Sequence, residues 1–464
     1  MANDEQRYIR QQAAFPEMVR AETGVVELAG EASPRCSALL KAGAAAMGVP
    51  RIASDHHGEL TNGRHWFSGD HETLVRTVNT DVGYGYVDPA RPGSDLNDLL
   101  HGERRWAVVH LNAGRERCGE VLEQLAACPR MIVLLALAGP GGVVVRRYPD
   151  AATALQAVRA ISGFGPVAQG PAELAMLAAG LCLNEIMLLR NDLDAPRLIG
   201  CYDLHRERRI DMPDDAPWEH VIADVSAAPG QQAAFSGRRV VQVGAGALGN
   251  WAALALALDG GLHLRIFDGD TVEASNLNRQ VLLVRGLGRA KANVLTEELR
   301  ELDFAGNYSP VARYVQTEED IDPLDEESIV LALPDNDAAR LLVSRAACRA
   351  GCLFAQGGTG AVAGQYSVHV PGRACLECVI GPGVESAGES CIAVAEDSVV
   401  ASNAITAGLL VSEVRQALSG RRTRNLRFAG DGPAGSRLVR MVNGDGPCPH
   451  AAAGSGGRVS GVTA

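Results

Sequence analysis

Hydrophobic and polar positions along the chain fall into two rounds of one pattern. In the second round, an apolar run at residues 240–243 reads as a buried parallel strand. Three glycines follow, Gly244, Gly246 and Gly249, and then the helix-forming run 250–258. A second apolar run, 262–267, ends at Asp268. Later the pattern predicts a helix from Lys291 to about Asp303, a strand over 328–333 and a helix over 404–418. The first round predicts a strand over 24–30, a helix over 37–47 and a strand over 48–54. Two buried strands at 106–112 and 131–137 follow, separated by a helix. A long apolar helix over 172–190 and a strand over 197–203 close this round. Strands alternating with helices at this spacing predict an α/β fold with parallel sheets. Ala179-Gly180-Leu181 and Ala407-Gly408-Leu409 each precede a glutamate, Glu185 and Glu413, at the same spacing, which points to an internal duplication. The first copy has lost the glycine spacing. Its turn reads Gly30-Glu31-Ala32-Ser33-Pro34, in which Glu31 and Pro34 suit phosphate poorly, and no N-x-x-R-Q run follows Asp55.

Strand, glycine turn and helix are the setting in which G-x-G-x-x-G means nucleotide binding. The glycines let the backbone approach phosphate, and the helix N-terminus offers it free N–H groups. An acidic residue at the end of the second strand, here Asp268, meets a ribose hydroxyl. Beyond it runs a dense polar stretch through Asp270, Glu273, Asn276, Asn278, Arg279 and Gln280, closed by Lys291. A dehydrogenase has no use for such a cluster. Splitting a nucleoside triphosphate does, because charge develops on phosphate oxygens and must be met by Arg, Lys and a metal ion. Asp335 follows the 328–333 strand, at the crevice where ligands of such sheets bind. Arg340, one helical turn on, reads equally well as a helix-surface charge. Cys375 and Cys378 have a spacing that can grip one zinc, but a structural site needs four ligands.

Composition narrows the partners. The formal net charge is −12 with no basic block, which argues against nucleic acid. Eleven cysteines show no disulfide framework, and neither a signal peptide nor a membrane span opens the chain. A reducing cytoplasm is the expected setting. Cys391 stands in a Gly/Ser-rich polar segment, 381–397, where a thiol is exposed and reactive. Its acidic neighbours Glu385, Glu389 and Glu396 do not lower its pKa. Cys182, Cys348 and Cys352 read as packing residues.

The glycine turn, the run Asp268-x-Asp270-x-Val272-x-x-Ser275-Asn276-Leu277-x-Arg279-Gln280 and Lys291 together resemble the ubiquitin-activating superfamily. That superfamily comprises activating enzymes of ubiquitin-like proteins and their relatives in molybdopterin and thiamine synthesis. The opening Arg7-Tyr8-x-Arg10-Gln11 resembles the start typical of its members. The resemblance is strong over 238–420 and weaker over 1–200. It implies two Rossmann-like adenylation-fold domains in one chain forming a pseudodimer, the first degenerate. The corresponding division is an inactive domain over 1–200, a linker over 201–236, an active domain over 237–450 and a disordered tail over 451–464. It implies ATP on Gly244, Gly246, Gly249, Asp268, Asp270, Asn276, Asn278 and Gln280, with Arg279 and Lys291 on the phosphates and magnesium on Asp335. Arg10 is implied as an arginine finger from the other half. The family carries a second Cys-x-x-Cys near its C-terminus. Here that place reads Cys448-Pro-His450-Ala451, so structural zinc is implied through Cys375, Cys378, Cys448 and His450. Cys391 matches the position of the nucleophile that takes the acyl group as a thioester. The partners implied are a ubiquitin-like protein and a conjugating enzyme, without nucleic acid or membrane. The chain is expected as a monomer with an internal pseudodimer or as a homodimer. A role in bacterial antiphage defence rests on the resemblance alone. An adenylyltransferase serving sulfur transfer or peptide modification, with no catalytic thioester, is the alternative.

Overall fold

The computed structural model describes residues 7–8, 23–56, 65–88, 104–128, 131–188, 196–204, 218–380, 398–423, 426–429, 437–440 and 447–450. Among these, the strands form two sheets of one design. The first runs β3 (Gly83–Tyr86), β2 (Arg51–Ser54), β1 (Thr23–Leu28), β4 (Arg104–His110), β5 (Met131–Gly139), β6 (Gly142–Tyr148), β7 (Arg197–Asp203). The second runs β10 (Asn307–Val311), β9 (His263–Phe267), β8 (Arg239–Val243), β11 (Ile329–Ala332), β12 (Leu353–Thr359), β13 (Ala363–His369), β14 (Leu426–Ala429), β15 (Arg437–Arg440). In each sheet the first five strands in spatial order are parallel and the later ones antiparallel. The strand β1 is thus the counterpart of β8, and the duplication read from the sequence is a duplication of topology. Among the described residues no helix is long and apolar enough to cross a membrane.

The strands are apolar because helices cover both faces; β5 and β6 are buried along their whole length. One continuous apolar cluster passes from the inner face of the first sheet to the inner face of the second. Separate clusters cover the outer faces. The helix Trp218–Ser226 falls in the segment read as a linker. Its Trp218, Val221, Ile222 and Val225 belong to the outer core of the first sheet.

The two halves meet through the helices Ala172–Leu188 and Val400–Leu418. A Cβ on Gly180 would lie 2.8 Å from the Ile405 nitrogen, and one on Gly408 would lie 2.7 Å from the Glu173 oxygen and 2.9 Å from the Leu177 nitrogen. The contacts exchange when Gly180 is laid on Gly408 and Leu177 on Ile405, as a two-fold interface requires. Glycine is forced at both places because backbone meets backbone. The polar bonds across the join are buried. Arg415 binds Glu173 through two guanidinium nitrogens and also reaches Asp259 and the Ala233 carbonyl. Tyr202 donates to Glu413 at 3.1 Å. Glu298 accepts from Trp66 at 2.7 Å, bonds His65 at 2.8 Å and pairs with Arg285.

At the end of β1 the first half holds a closed polar network where a nucleotide turn would be. Glu27 is fully buried and takes Lys41 at 2.8 Å, Ser54 at 2.9 Å and His110 at 2.7 Å. Lys41 also bonds Ser37 at 2.8 Å and His71 at 2.7 Å. Burial alone would raise the Glu27 carboxyl, but Lys41 and His110 hold it well below the usual range. Burial alone would lower His110, but Glu27 raises it to about 10. Burial and the Lys41 ammonium drive His71 down to about 2. A Cβ on Gly30 would lie 1.8 Å from a Glu27 oxygen and 2.3 Å from His56, so the turn has no room left for phosphate.

Candidate active site

The second half keeps the turn open. Gly244 sits at φ +104°, and a Cβ there would come within 2.6 Å of the Leu333 oxygen at the end of the neighbouring strand. Only glycine tolerates both conditions. Gly249 lets the helix Ala247–Asp259 rest on the turn, since its Cβ would lie 2.1 Å from the Gly244 oxygen. Gly246 is the helix N-cap, has nothing within 4 Å of a built Cβ and offers no side-chain cap. The first N–H groups of that helix therefore face open space, ready for an anion. Gln242 is a residue that sequence reasoning passed over. Its side-chain amide donates to the Gly244 oxygen at 2.8 Å and the Gly249 oxygen at 3.0 Å, pinning both ends of the turn. One amide in an otherwise apolar strand was the available signal.

Asp268 accepts from the Ala245 N–H at 2.7 Å and the Asp270 N–H at 2.8 Å. Asp55 does the same for the Ala29 N–H in the first half, at 3.1 Å. Burial pushes the Asp268 carboxyl up, although these N–H groups oppose it. Lys291 opens the helix Lys291–Leu302 and pairs with Asp270 at 2.8 Å. Partial burial works against the Asp270 carboxylate, but Lys291 and the Tyr314 hydroxyl outweigh it and hold its pKa low. Arg279 is buried and donates to the Ser275 carbonyl at 2.6 Å and to the Asn278 side chain at 2.8 Å. Asn276 closes a capping box on the Glu273 N–H at 3.0 Å. Asp335 is exposed just beyond β11. Asn336 caps the helix Asp337–Ala350 by accepting from the Ala339 N–H at 2.8 Å. Arg340 is not a surface charge. It is buried, donates twice to the Pro334 carbonyl, at 3.1 and 2.8 Å, and so fixes the backbone that carries Asp335.

These residues converge on one cavity of about 1140 Å³. Gly244, Gly246, Asp268, Asp270, Asn276, Arg279, Gln280, Lys291 and Asp335 line it; Gly249 and Asn278 stand behind the wall. Its far end is built by Thr359, Ser398 and Asn403, which no motif had indicated. Thr359 donates to Asn403 at 2.8 Å and Asn403 donates to Ser398 at 2.6 Å. A positive wall of Arg279 and Lys291 beside an exposed carboxylate suits a polyphosphate with a divalent cation. Asp335 offers the single carboxylate that magnesium uses alongside phosphate oxygens. Arg10 and Cys391 lie outside the described residues. Arg7, three residues before Arg10, donates to the carbonyls of Val78 in the first half and Leu277 in the second, the latter at 3.3 Å.

The second centre gathers Cys375, Cys378, Cys448 and His450, whose ligand atoms all lie within 4.8 Å of one another. A bridge between Arg373 and Pro447 brings the distant segment alongside. Zn–S bonds of about 2.3 Å in a tetrahedron set sulfur–sulfur edges of about 3.8 Å. The observed edges are 3.7 Å for Cys375–Cys378 and 3.9 Å for Cys378–Cys448. The His450 Nδ1 stands 3.4, 3.5 and 4.0 Å from the three sulfurs. These four donors fit zinc. Cys348 corrects the sequence reading: it is no packing residue, because its sulfur lies 3.4 Å from that of Cys448. Cys352 lies past the helix end, buried against the Ala347 carbonyl.

Comparison with known proteins adds the following. Residues 219–438 match the ThiF family. An adenylyltransferase and sulfurtransferase uba4 of Aspergillus clavatus is 44% identical over 107 residues, which cover 23% of this chain and 22% of that protein. The adenylyltransferase and sulfurtransferase MOCS3 of Bos taurus is 37% identical over 142 residues, 30% of this chain and 31% of that one. The chain thus spans between about a fifth and a third of the length of these relatives. Among solved structures, E. coli MccB with ATP is 20% identical with a TM-score of 0.39, covering 46% of this chain and 66% of that one.

Proposed function

We propose, from the premise that residues 219–438 are a ThiF-family domain of the ubiquitin-activating enzyme superfamily, that this protein adenylates the C-terminal carboxylate of a ubiquitin-like protein. The observation that carries the proposal is the convergence of the open glycine turn, Arg279, Lys291 and Asp335 on one cavity. ATP lies with its ribose at Asp268 and its phosphates between the turn, Arg279 and Lys291. Asp335 would hold magnesium, which would neutralise phosphate charge. A carboxylate oxygen of the substrate attacks the α-phosphorus, and the bond to the β-phosphate oxygen breaks. The products are an acyl-adenylate and pyrophosphate. Arg279 and Lys291 meet the charge that grows on the leaving pyrophosphate. Lys291 is held by Asp270 and must turn from it toward phosphate when ATP enters. Arg10, by the family resemblance, would add an arginine finger to the phosphates.

In the second step the Cys391 thiolate attacks the acyl carbon, AMP leaves, and the thioester passes to a conjugating enzyme. The sulfur-transfer alternative has its own support, since the two curated relatives are named adenylyltransferase and sulfurtransferase. Zinc would sit on Cys375, Cys378, Cys448 and His450 and would tie the segment 447–450 to the helix Leu376–Ile380. The test of adenylation is exchange of labelled pyrophosphate into ATP in the presence of a ubiquitin-like protein. Exchange should vanish in Arg279→Ala and Asp335→Ala. Undiminished exchange in both variants overturns the assignment. A thiol-sensitive adduct present in wild type and lost in Cys391→Ala, with exchange retained, separates the thioester reading from the sulfur-transfer one.

A further inference from the structure

We propose that Cys348 and Cys448 form a disulfide when the protein meets a peroxide, and that this bond dismantles the zinc site by removing one of its four donors. The disulfide rests on the thiol geometry alone; the loss of metal rests on the zinc reading above. Zinc in a structural site takes four donors, and Cys375, Cys378, Cys448 and His450 supply them. Cys348 is a fifth ligand-type group outside that tetrahedron. Its sulfur is 3.4 Å from Cys448, closer than the 3.7 Å of Cys375–Cys378 or the 3.9 Å of Cys378–Cys448. It comes from the last turn of the helix Asp337–Ala350, a hundred residues from Cys448 in sequence. A disulfide of about 2.05 Å needs the two sulfurs to close by only about 1.4 Å.

The cluster is reachable. His450 is exposed, Cys348 and Cys378 are half-buried and Cys448 is 9% exposed, and a cavity of about 20 Å³ lined by Cys348 and Cys375 admits one water-sized molecule. The chemistry balances with a peroxide as oxidant. The Cys448 thiolate attacks one peroxide oxygen, the O–O bond breaks, and a sulfenic acid and, after protonation, water result. The Cys348 thiol then attacks the sulfenic sulfur, the S–S bond forms, and a second water leaves with the hydroxyl and the thiol proton. Two thiols lose two electrons, one hydrogen peroxide becomes two waters, and zinc departs with three donors left behind.

The experiment uses the full chain as purified, with zinc counted by elemental analysis. Hydrogen peroxide is added, zinc release is followed with a colorimetric chelator, and disulfides are mapped by peptide mass spectrometry without reductant. Wild type should release zinc and yield a Cys348–Cys448 peptide pair. Cys348→Ser should keep its zinc as purified, lack that pair and release metal severalfold more slowly, because the sulfenic acid has no resolving thiol. Cys352→Ser should behave as wild type. Release from Cys348→Ser at the wild-type rate overturns the proposal. So does a map in which Cys375–Cys378 is the only bond, or a Cys348→Ser protein that arrives without zinc, which makes Cys348 a ligand. If wild type itself carries no zinc, the zinc reading fails separately and the disulfide map alone decides.

Discussion

Arg415→Met tests what joins the two halves. Arg415 sits on the Val400–Leu418 helix with its guanidinium on Glu173 of the partner helix, on Asp259 and on the Ala233 carbonyl, and over the Phe235 ring at 4.5 Å. Glu173 is 1% exposed and Arg415 5%. Removing the cation leaves a carboxylate in the core with no counter-charge, a loss of about 3–5 kcal/mol when one partner of a buried pair is deleted. Asp259 adds little to this because its side chain is 17% exposed and water can take the place of Arg415. Against a typical total stability of about 5–15 kcal/mol, that loss is large. The assay is denaturant unfolding of wild type, Arg415→Met, Glu173→Leu and the double variant. The double variant should recover most of the loss, because an apolar pair of similar volume needs no desolvation. The pH dependence carries a sign. Burial already raises the Glu173 carboxyl, opposed by Arg415; without Arg415 it rises further. Folded protein then holds a proton that the unfolded chain releases above about pH 4.5, so the variant loses stability as pH rises, by up to about 1.4 kcal/mol per unit. Its deficit should shrink toward pH 5. A deficit below about 1 kcal/mol at neutral pH, or a double variant as weak as the single one, would refute the reasoning.

The Glu27 network makes a second pH prediction. The His110 pKa is raised to about 10, so its contribution is complete below its unfolded value and lost as pH rises toward 10. The Glu27 pKa is lowered, so its contribution is present above its unfolded value and lost in acid. Thermal melts should therefore peak between these limits, and Glu27→Gln should flatten the alkaline limb; an unchanged limb excludes the network as its source. Gly408→Ala puts a Cβ 2.7 Å from the Glu173 oxygen, and should cost about 1–3 kcal/mol in unfolding free energy. Lys291→Met should weaken ATP binding in calorimetry by about tenfold or more, the worth of one charged hydrogen bond to phosphate. Lys291→Arg should restore part of it, and equal affinity in all three proteins places the phosphates elsewhere. If the proposed zinc site is filled, a strong chelator should expose the chain near Cys448 to protease and leave the first half as resistant as before.

Local chemistry made much of this legible in the sequence alone. The glycine turn, the apolar strands and Asp268 at a strand end act within one β-turn-helix unit, and the residues that build it are neighbours in sequence. The polar run from Asp268 to Gln280 and Lys291 was readable for the same reason, since a single turn presents most of it to one cavity. Tertiary structure decided the rest because burial and long-range approach have no periodicity to read. Gly249 and Asn278 belong to the motif, yet packing sets them behind the cavity wall, where they shape the turn and hold Arg279. Thr359, Ser398 and Asn403 meet at the far end only because β12 and the Val400–Leu418 helix converge there. The Ala-Gly-Leu repeat hinted at duplication, but only the backbone approach of Gly180 to Ile405 and of Gly408 to Glu173 and Leu177 shows why neither glycine can carry a side chain. No motif singled out Glu27 in its strand; Lys41, His110 and Ser54 arrive from three other elements to make its burial tolerable. Cys348 read as one more packing residue of a helix. A sulfur a hundred residues away, brought beside it by folding, gave it a chemistry that no spacing in the chain encodes.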